Sequence, residues 1–344
     1  MYQLPSHMQA VLASEHGGNV QDAIRHLTLG ELPVPVPQRG EVLVKIEAAP
    51  CNPSDLIFLQ GLAGETHSEA AVPGWEGAGK VVASGGGWLA NWLRNRRVAC
   101  AAPRGKNGTW AEYMIARATD CIPLRTKLRY RQAASLIINP LSAIGLLSVA
   151  RASGHHAAVS TAAASQLGRM LVMLSQQQRF PMLHIVRRAT QVDQLHSLGA
   201  EHVLNSSATG FYGQLAKACR ELKVTCALDA IAGTETGKLL KVLPRDADVI
   251  VYGALSSEPC GQIDPVELIY HGKRIDSFYL NRWIRKQGTL RMLRHVYRIQ
   301  NMMLAGKIQT QIQREAGFVD LRQALEQYVS EMSLGKVLLV PSKT

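Results

Sequence analysis

The fold is decided by one stretch, residues 157–188, which reads AAVSTAAASQLGRMLVMLSQQQRFPMLHIVRR. Its first five residues are mostly small and apolar, and they predict a short buried strand. Small residues at 162–168 lead into an apolar-periodic helix over Leu167 to Leu174, and a second apolar strand follows at 183–186. This order of strand, small-residue turn, helix and strand is typical of a βαβ unit in a parallel sheet.

The turn and the two arginines after the second strand indicate a ligand for this unit. A helix N-terminus offers free N–H groups and a positive dipole end to an anion, and small residues let a pyrophosphate approach the backbone. An acidic residue at the tip of the second strand would bind a ribose diol, whereas Arg187 and Arg188 suit a ribose phosphate. The pattern therefore favours NADP over NAD. Only Gly168 remains of the glycine-rich fingerprint, so a packing turn and a solvated strand end stay open as alternatives.

Length and composition limit the class of protein. With 344 residues, 47% of them hydrophobic, the chain is long enough for two globular domains, each with its own core. We see no apolar run of membrane-spanning length and no secretory leader, so we expect no membrane partner. The six cysteines are scattered without a C-x-x-C pair, which favours reduced thiols, a cytoplasmic location and no zinc cluster.

The chain is basic, with a formal net charge of +12. A positive field attracts phosphate-rich ligands such as NADPH, acyl-CoA and nucleic acid, but no dedicated motif supports nucleic-acid binding. From residue 290 onward, cations alternate with Leu290, Leu293 and Tyr297 at helical spacing. This pattern predicts an amphipathic helix whose cations form its solvated face.

The pattern of predicted elements divides the chain into a β-rich part at 1–125 and a part at 126–309 in which strands alternate with helices. The tail at 310–344 is expected to return to the first part. The first part suggests a barrel-like or sandwich domain, and the second a doubly wound parallel sheet with a ligand crevice beyond its carboxyl ends. The strands predicted in the first part are 8–12, 25–29, 41–48, 79–83, 97–101 and 110–115. Those predicted in the second part are 157–161, 183–186, 201–205, 226–229, 249–253 and 275–280.

Several short motifs occur in the order expected of one family. They are C-N-P-S-D-L at 51–56, P-G-W-E-G-A-G at 73–79, N-P-L-S-A at 139–143, the βαβ unit, L-G-A at 198–200, V-Y-G-A at 251–254 and G-K-V-L-L at 335–339. With these motifs the chain resembles the medium-chain dehydrogenase/reductase superfamily, and within it the zinc-free quinone oxidoreductases and 2-enoyl thioester reductases. The resemblance implies an α/β protein with a GroES-like catalytic domain, an inserted Rossmann domain that binds NADP(H), and a homodimer.

The zinc branch of this superfamily carries metal ligands where this chain has Asn52, Trp75 and Asn139. None of the three is a good zinc ligand, Cys51 is one position off, and Glu76 alone cannot hold the ion. We therefore expect no metal. Without a Lewis acid to polarise an alcohol oxygen, hydride delivery to an activated alkene or a quinone is the chemistry that remains.

The resemblance also implies roles for individual residues. Asn52, Asn139 and Ser142 match positions near the nicotinamide and the substrate, and they are the catalytic candidates. The candidates for coenzyme binding are Ser165, Gln166, Leu167, Gly168, Arg187, Arg188, Tyr252, Gly253, Ala254, Phe278, Leu280 and Lys336. Each catalytic candidate could equally form hydrogen bonds to the backbone of a loop. Phe278 and Leu280 could instead belong to the hydrophobic core. Tyr252 could have a structural role, and Lys336 could be a surface lysine.

The sequence leaves three functions open. The leading one is NADPH-dependent reduction of quinones or α,β-unsaturated carbonyls by direct hydride transfer, with a small molecule as the partner. A 2-enoyl thioester reductase is the closest alternative, because residues 278–283 resemble the substrate-side segment of that subfamily. Against it, Ala63 stands where that subfamily has a tyrosine, within Q-G-L-A-G at 60–64. A non-catalytic, NADPH-linked RNA-binding protein of the crystallin type is the alternative from another class.

Overall fold

The computed structural model describes residues 4–13, 18–62 and 71–342. The strands of this part of the chain are β1 (His7–Ala13), β2 (Leu27–Pro33), β3 (Glu41–Pro50), β4 (Glu76–Ser84), β5 (Arg97–Ala101), β6 (Tyr113–Arg117), β7 (Cys121–Pro123), β8 (Ala158–Ser160), β9 (Met182–Val186), β10 (His202–Asn205), β11 (Cys226–Asp229), β12 (Asp248–Val251), β13 (Arg274–Ser277), β14 (Ile312–Ala316) and β15 (Lys336–Leu339). The α-helices are α1 (Val20–Arg25), α2 (Pro53–Leu59), α3 (Trp88–Leu93), α4 (Tyr130–Ala133), α5 (Ile138–Ala152), α6 (Gln166–Gln177), α7 (Ala189–Ser197), α8 (Phe211–Glu221), α9 (Thr234–Val242), α10 (Pro265–Ile269), α11 (Leu280–Gln287), α12 (Thr289–Leu304) and α13 (Leu321–Ser330).

The chain divides into two compact units. Unit 1 combines Met1–Ile138 with Arg298–Thr344, and unit 2 is the intervening segment Asn139–Tyr297. Among the residues described above, no helix has the length and apolar character needed to cross a membrane.

Unit 1 is built on a mixed sheet with the strand order β14-β15-β3-β4-β5-β7, and β6 also pairs with β3. The ten-residue β3 is its centre, since Val42 lies opposite Ser84 of β4 and also opposite Ala116 of β6. The C-terminal strand β15 joins β3 where Leu338 lies opposite Pro50. Apolar side chains along β3 and its neighbours, with the buried Trp110, form the core of this unit. Each large side chain buried there contributes about 1.5–3 kcal/mol of hydrophobic stabilisation.

Short helices interrupt the β-rich part of unit 1, and the sequence did not lead us to expect them. The strand predicted at 25–29 is wrong at its start, because α1 ends at Arg25 and β2 begins at Leu27. The Asn19 side chain caps α1 by accepting a 2.9 Å hydrogen bond from the backbone N–H of Asp22. A six-residue helix has too few turns for hydrophobic periodicity to show.

Unit 2 contains six parallel strands in the order β10-β9-β8-β11-β12-β13. Numbered within the unit, this order is 3-2-1-4-5-6, the arrangement of the Rossmann fold, and the prediction of a doubly wound sheet is confirmed. The direction of winding reverses between β8 and β11, where Val159 lies opposite Ala227. Ligands of such sheets bind beyond the carboxyl ends of the strands at this reversal. The predicted strand at 275–280 is too long, because β13 ends at Ser277 and α11 begins at Leu280.

Candidate functional site

The turn between β8 and α6 lies at the carboxyl edge of the unit 2 sheet. Ser165 caps α6, and its hydroxyl accepts a 3.1 Å hydrogen bond from the backbone N–H of Gly168. The backbone N–H of Ala163 donates to the carbonyl of Ile185 at 3.0 Å, so the turn is tied to the end of β9. Gln166 is buried and Leu167 half-buried in the first turn of the helix. The N-terminus of α6 is thereby held beside the residues that follow β9.

Gly168 allows α6 to approach the turn closely. A β-carbon at this position would lie 2.5 Å from the carbonyl oxygen of Ala163 and 2.6 Å from its carbonyl carbon. These are backbone atoms, so they cannot rotate away as a flexible side chain can. This close contact is the role that the third glycine plays in dinucleotide-binding turns.

We expect Gly168→Ala to weaken NADPH and NADH equally, by about tenfold or more, because the helix start must move away from the turn. The same shift should reduce the free energy of unfolding by about 1–3 kcal/mol. Gly213→Ala is the matched control, since that helical glycine in α8 has open space around its β-position. Titration of each coenzyme, with urea unfolding, measures both effects. Normal coenzyme affinity in Gly168→Ala would contradict this assignment of the turn.

Arg187 and Arg188 follow β9 directly, and both side chains are exposed. Their backbone N–H groups each donate to Oε1 of the buried Gln191 at 3.2 Å. The Ser207 hydroxyl donates to the carbonyl of Arg187 at 2.8 Å. These bonds fix the path of the backbone that carries the two guanidinium groups.

Two residues that the sequence did not single out also shape this edge. Asp229, at the end of β11, is buried and accepts from the Thr161 hydroxyl at 3.1 Å and from the Thr236 hydroxyl at 2.8 Å. It therefore joins the ends of the two strands that flank the reversal point. Arg169 is half-buried in α6, and its Nε donates to the carbonyl of Ala164 at 3.0 Å. The sequence offered one signal for each residue. Asp229 is an acid at the end of an apolar strand, and Arg169 is a cation in the first turn of a helix.

Tyr252 and Gly253 come directly after β12, and Ala254 is exposed behind them. A β-carbon on Gly253 would lie 2.6 Å from the carbonyl oxygen of Ala230, so glycine is needed for the two chain segments to pass. Within the residues for which positions are given, the buried Tyr252 hydroxyl has no hydrogen-bond partner. A buried hydroxyl without a partner carries a free-energy cost that a ligand can remove.

Helix α5 carries Asn139 and Ser142, so these candidates lie in a helix and not in a loop. Both are buried, and the Asn139 Nδ2 atom lacks a partner among the described residues. Phe278 is buried against the same helix, where a β-carbon on Gly145 would lie 2.5 Å from its Cζ. Leu280 is half-buried at the start of α11. The aromatic ring of Phe278 therefore packs within unit 2.

In unit 1, Asn52 belongs to a buried polar network. Its Oδ1 accepts from the Lys336 ammonium at 2.7 Å, and its Nδ2 donates to Glu76 Oε1 at 3.1 Å. Lys336 also donates to the carbonyl of Cys51 at 3.0 Å. The other oxygen of Glu76 accepts from the backbone N–H groups of residues 137 and 138, each at 3.0 Å. Asn52 is thus held in one orientation, with donor and acceptor both engaged.

Burial shifts the titration of the groups in this network. Desolvation lowers the pKa of Lys336, although Cys51, Glu76 and Asp55 oppose the change. Desolvation likewise raises the pKa of Glu76, against the hydrogen bonds that it accepts. The pKa of the Cys51 thiol is raised well above its ordinary value, mainly by burial. A thiol that stays protonated is a poor metal ligand and a poor nucleophile.

The residues of this network do not fit a zinc ion. The acceptor oxygen of Asn52 is engaged by an ammonium, whose charge would repel a dication. The Trp75 indole has only a donor nitrogen, and it donates to the carbonyl of Ser54 at 3.2 Å. No three His, Cys, Asp or Glu side chains are grouped to hold a metal anywhere in 4–13, 18–62 or 71–342. Ala63, which replaces the tyrosine of the thioester reductases, lies outside those ranges.

Asp55 gives the network a pH dependence. Its carboxylate accepts from the backbone N–H groups of Asn52 at 2.7 Å and Trp75 at 3.0 Å, but burial raises its pKa from 3.8 to about 7. Between pH 3.8 and about pH 7, Asp55 of the folded protein retains a proton that the same residue has released in the unfolded chain. The contribution of Asp55 to stability is therefore greatest at low pH, and it declines until the pH reaches about 7.

We expect the stability of the wild type, relative to Asp55→Asn, to decrease by a few kcal/mol from pH 4 to pH 7, and to stay constant above about pH 7. Urea unfolding of both proteins over this range measures the difference. The change of the stability difference with pH is the informative quantity. The asparagine also loses one accepted hydrogen bond, but that loss is the same at every pH. A stability difference that stays constant or rises between pH 4 and pH 7 would show that the carboxyl is ionised throughout this range.

Comparisons with known proteins agree with this architecture. Residues 38–126 match the alcohol dehydrogenase GroES-like domain, and residues 198–339 match the zinc-binding dehydrogenase family. A protein from Mesorhizobium loti, provisionally assigned as an NADPH:quinone reductase, is 32% identical and superposes with a TM-score of 0.90, over 98% of this chain and 100% of that one.

Two further relatives are more distant. A mycobacterial protein solved with NADPH is 24% identical, with a TM-score of 0.82 over 97% of this chain and 100% of its own. The mitochondrial enoyl-[acyl-carrier-protein] reductase of Mus musculus is 24% identical over 341 residues, covering 97% of this chain and 89% of that protein. The matched families and the 32% identity over nearly the whole length show that this chain belongs to the medium-chain dehydrogenase/reductase superfamily, a family of oxidoreductases.

Proposed function

We propose that this protein is an NADPH-dependent reductase of quinones or α,β-unsaturated carbonyls that needs no metal. The observation that carries the proposal is the pair Arg187 and Arg188 at the end of β9, beside the turn that begins α6. The N–H groups of that helix start, with Ser165 to Gly168, hold the pyrophosphate. The arginines hold the 2′-phosphate through planar, charge-assisted hydrogen bonds.

Three features of unit 2 support a fit for this coenzyme. Gly168 and Gly253 let backbone segments pack closely at the carboxyl edge, where the crevice of a Rossmann sheet lies. The hydroxyl of Tyr252 and the amide of Asn139 are buried donors without partners among the residues described. Such donors suit the oxygens of a bound nicotinamide or acceptor, which would satisfy them.

The chemistry follows from what the side chains can and cannot do. When bound, the coenzyme supplies the hydride. A conjugated acceptor carries the developing negative charge to an oxygen, so the protein needs to align the partners and offer donors to that oxygen. The donor set around Asn52 does not fit zinc, which leaves alcohol oxidation without a Lewis acid. Water, or a donor beside the oxygen, completes the reduction by protonation.

Reduction of 2-enoyl thioesters is the second candidate. The observation that favours it is the match to enoyl-[acyl-carrier-protein] reductases over 97% of the chain. The position of Ala63 argues against it, because the phenol that would assist proton transfer in that subfamily is missing.

A turnover assay separates the candidates. Loss of NADPH is followed spectroscopically with water-soluble quinones, simple enones and a crotonyl thioester, each at matched concentration. The proposal expects turnover with a quinone or an enone that exceeds turnover with the thioester. Turnover with the thioester alone would establish the second candidate, and no turnover with any acceptor would contradict both.

A further inference from the structure

The segment at 277–314 contains eight lysines and arginines and no aspartate or glutamate. It lies between Asp276 and Glu315, and it accounts for eight of the twelve net positive charges of the chain. Neither the coenzyme site nor the buried network uses these charges. A cation-rich segment that contains no acidic residue carries a local positive potential that no ion pair within the segment neutralises.

The part of this segment in unit 2 exposes apolar side chains as well as cations. Leu290 is 76% exposed, and Leu293 and Tyr297 are each 60% exposed. Their spacing of three and four residues puts them on one stripe of α12. The cations form a solvated face of this helix, as the sequence predicts, but the apolar stripe is exposed as well. The exposed Arg291 and Arg294 lie on the same helix beside the stripe.

Helix α11 carries further charge and contacts α12 through an aromatic pair. The ring of its buried Trp283 lies 5.4 Å from the ring of His295 in α12. Arg285 of α11 is exposed. We call the exposed residues Leu290, Arg291, Leu293, Arg294 and Tyr297 the α12 surface.

We propose that the α12 surface docks on an anionic phospholipid membrane, with its apolar stripe entering the headgroup region. A helix with arginines beside protruding leucines and a tyrosine has the composition of an interfacial helix. The arginines are attracted to anionic headgroups, and their stems can follow the leucines while the guanidinium groups stay in the polar layer. This surface would hold the protein on the membrane without spanning it, and it revises our expectation of no membrane partner.

Charge and shape disfavour the other occupants. A second copy placed symmetrically on this surface would bring arginines against arginines with no acid between them. A nucleic acid would use the cations but gains little from exposed leucines. A protein partner needs a complementary surface of about 800 Å² on each side, whereas a bilayer conforms to single protruding side chains.

The membrane proposal goes beyond the proposed function and does not depend on it. If the protein is also a quinone reductase, docking would bring it to quinones with apolar tails that reside in the bilayer. That consequence alone rests on the proposed function.

Sedimentation with vesicles tests the docking. The full-length protein is mixed with vesicles of phosphatidylcholine, or of phosphatidylcholine with phosphatidylglycerol, at low and high salt. We expect binding to the anionic vesicles, weaker binding at high salt, and none to the neutral vesicles. Arg291→Gln with Arg294→Gln should weaken vesicle binding by more than tenfold, because each lost charge should lower the affinity by about fivefold. Leu290→Ser with Leu293→Ser should also weaken it by about tenfold or more.

The control pair is Lys217→Gln with Arg220→Gln, two exposed cations on α8 of the same unit. This pair should bind anionic vesicles like the wild type, and all three variants should turn over a water-soluble acceptor normally. Turnover of a water-soluble acceptor does not require vesicles. A loss of turnover in any of these variants would therefore bear on the enzymatic proposal, whereas vesicle binding alone tests the docking. The docking proposal would be overturned by no binding to anionic vesicles, or by binding that the leucine variant leaves unchanged. Binding to a soluble acidic protein without vesicle binding would also overturn it.

Discussion

Arg187→Ala with Arg188→Ala weakens the binding of NADPH by about a hundredfold or more and leaves that of NADH nearly unchanged. The two coenzymes differ only in the 2′-phosphate, so a group that contacts this phosphate contributes to one affinity and not to the other. Hydrogen bonds to a charged group contribute about 1.5–3 kcal/mol each, and about 1.4 kcal/mol corresponds to a factor of ten. Calorimetric titration of both coenzymes measures the two affinities directly.

The control for this variant is Lys217→Ala with Arg220→Ala, which removes the same net charge from an exposed part of the same unit. It should change the affinity for NADPH by less than about threefold, through the general field alone. Testing Arg187→Ala and Arg188→Ala separately then shows which guanidinium dominates. Equal losses for NADPH and NADH in the double variant would show that these arginines act on the backbone of the turn and not on the phosphate.

Lys336→Met lowers the free energy of unfolding by about 3–5 kcal/mol. The ammonium is buried and donates to Asn52 and to the carbonyl of Cys51. Removing it leaves the buried carboxyl groups of Glu76 and Asp55 without a compensating positive charge. An uncompensated buried charge lowers stability more than the loss of a whole ion pair does. Lys307→Met, at an exposed lysine of unit 1, should change stability by less than about 0.5 kcal/mol.

A double-mutant cycle with Glu76→Gln separates charge from packing. If the loss in Lys336→Met comes from the uncompensated carboxylate, the same substitution in the Glu76→Gln background should cost at least about 1 kcal/mol less. A loss of equal size in both backgrounds would mean that Lys336 acts through its aliphatic stem. Urea unfolding at a pH above 7 gives all four free energies under conditions in which Asp55 is largely ionised.

The parts of the fold that depend on periodicity could be predicted from the sequence. The strands β8 and β9 and the helix between them are marked by apolar runs and a small-residue turn, so their order and winding were accessible. Helix α1 was not, because its six residues are too few for a helical period to show. The exposed stripe on α12 was missed because periodicity shows which residues share a face, but not whether another element covers it.

The candidate site was accessible only where its residues are neighbours in sequence. Ser165 to Gly168, with the arginines after β9, form a local pattern that a reader of the sequence can interpret. The partners of Lys336 lie 284 and 285 residues away, so nothing in G-K-V-L-L distinguished a buried lysine from a surface one. Asp229 was missed for a similar reason, because its hydroxyl partner Thr161 belongs to another strand end.

The central claim is that a phosphorylated nicotinamide coenzyme binds where α6 begins in unit 2. Calorimetric titration of the purified wild-type protein with NADPH and with NADH, in the same buffer and without added metal, tests it most directly. We expect one coenzyme per chain and an affinity for NADPH about a hundredfold or more above that for NADH. Equal affinities for the two, or binding that appears only when zinc is added, would contradict it.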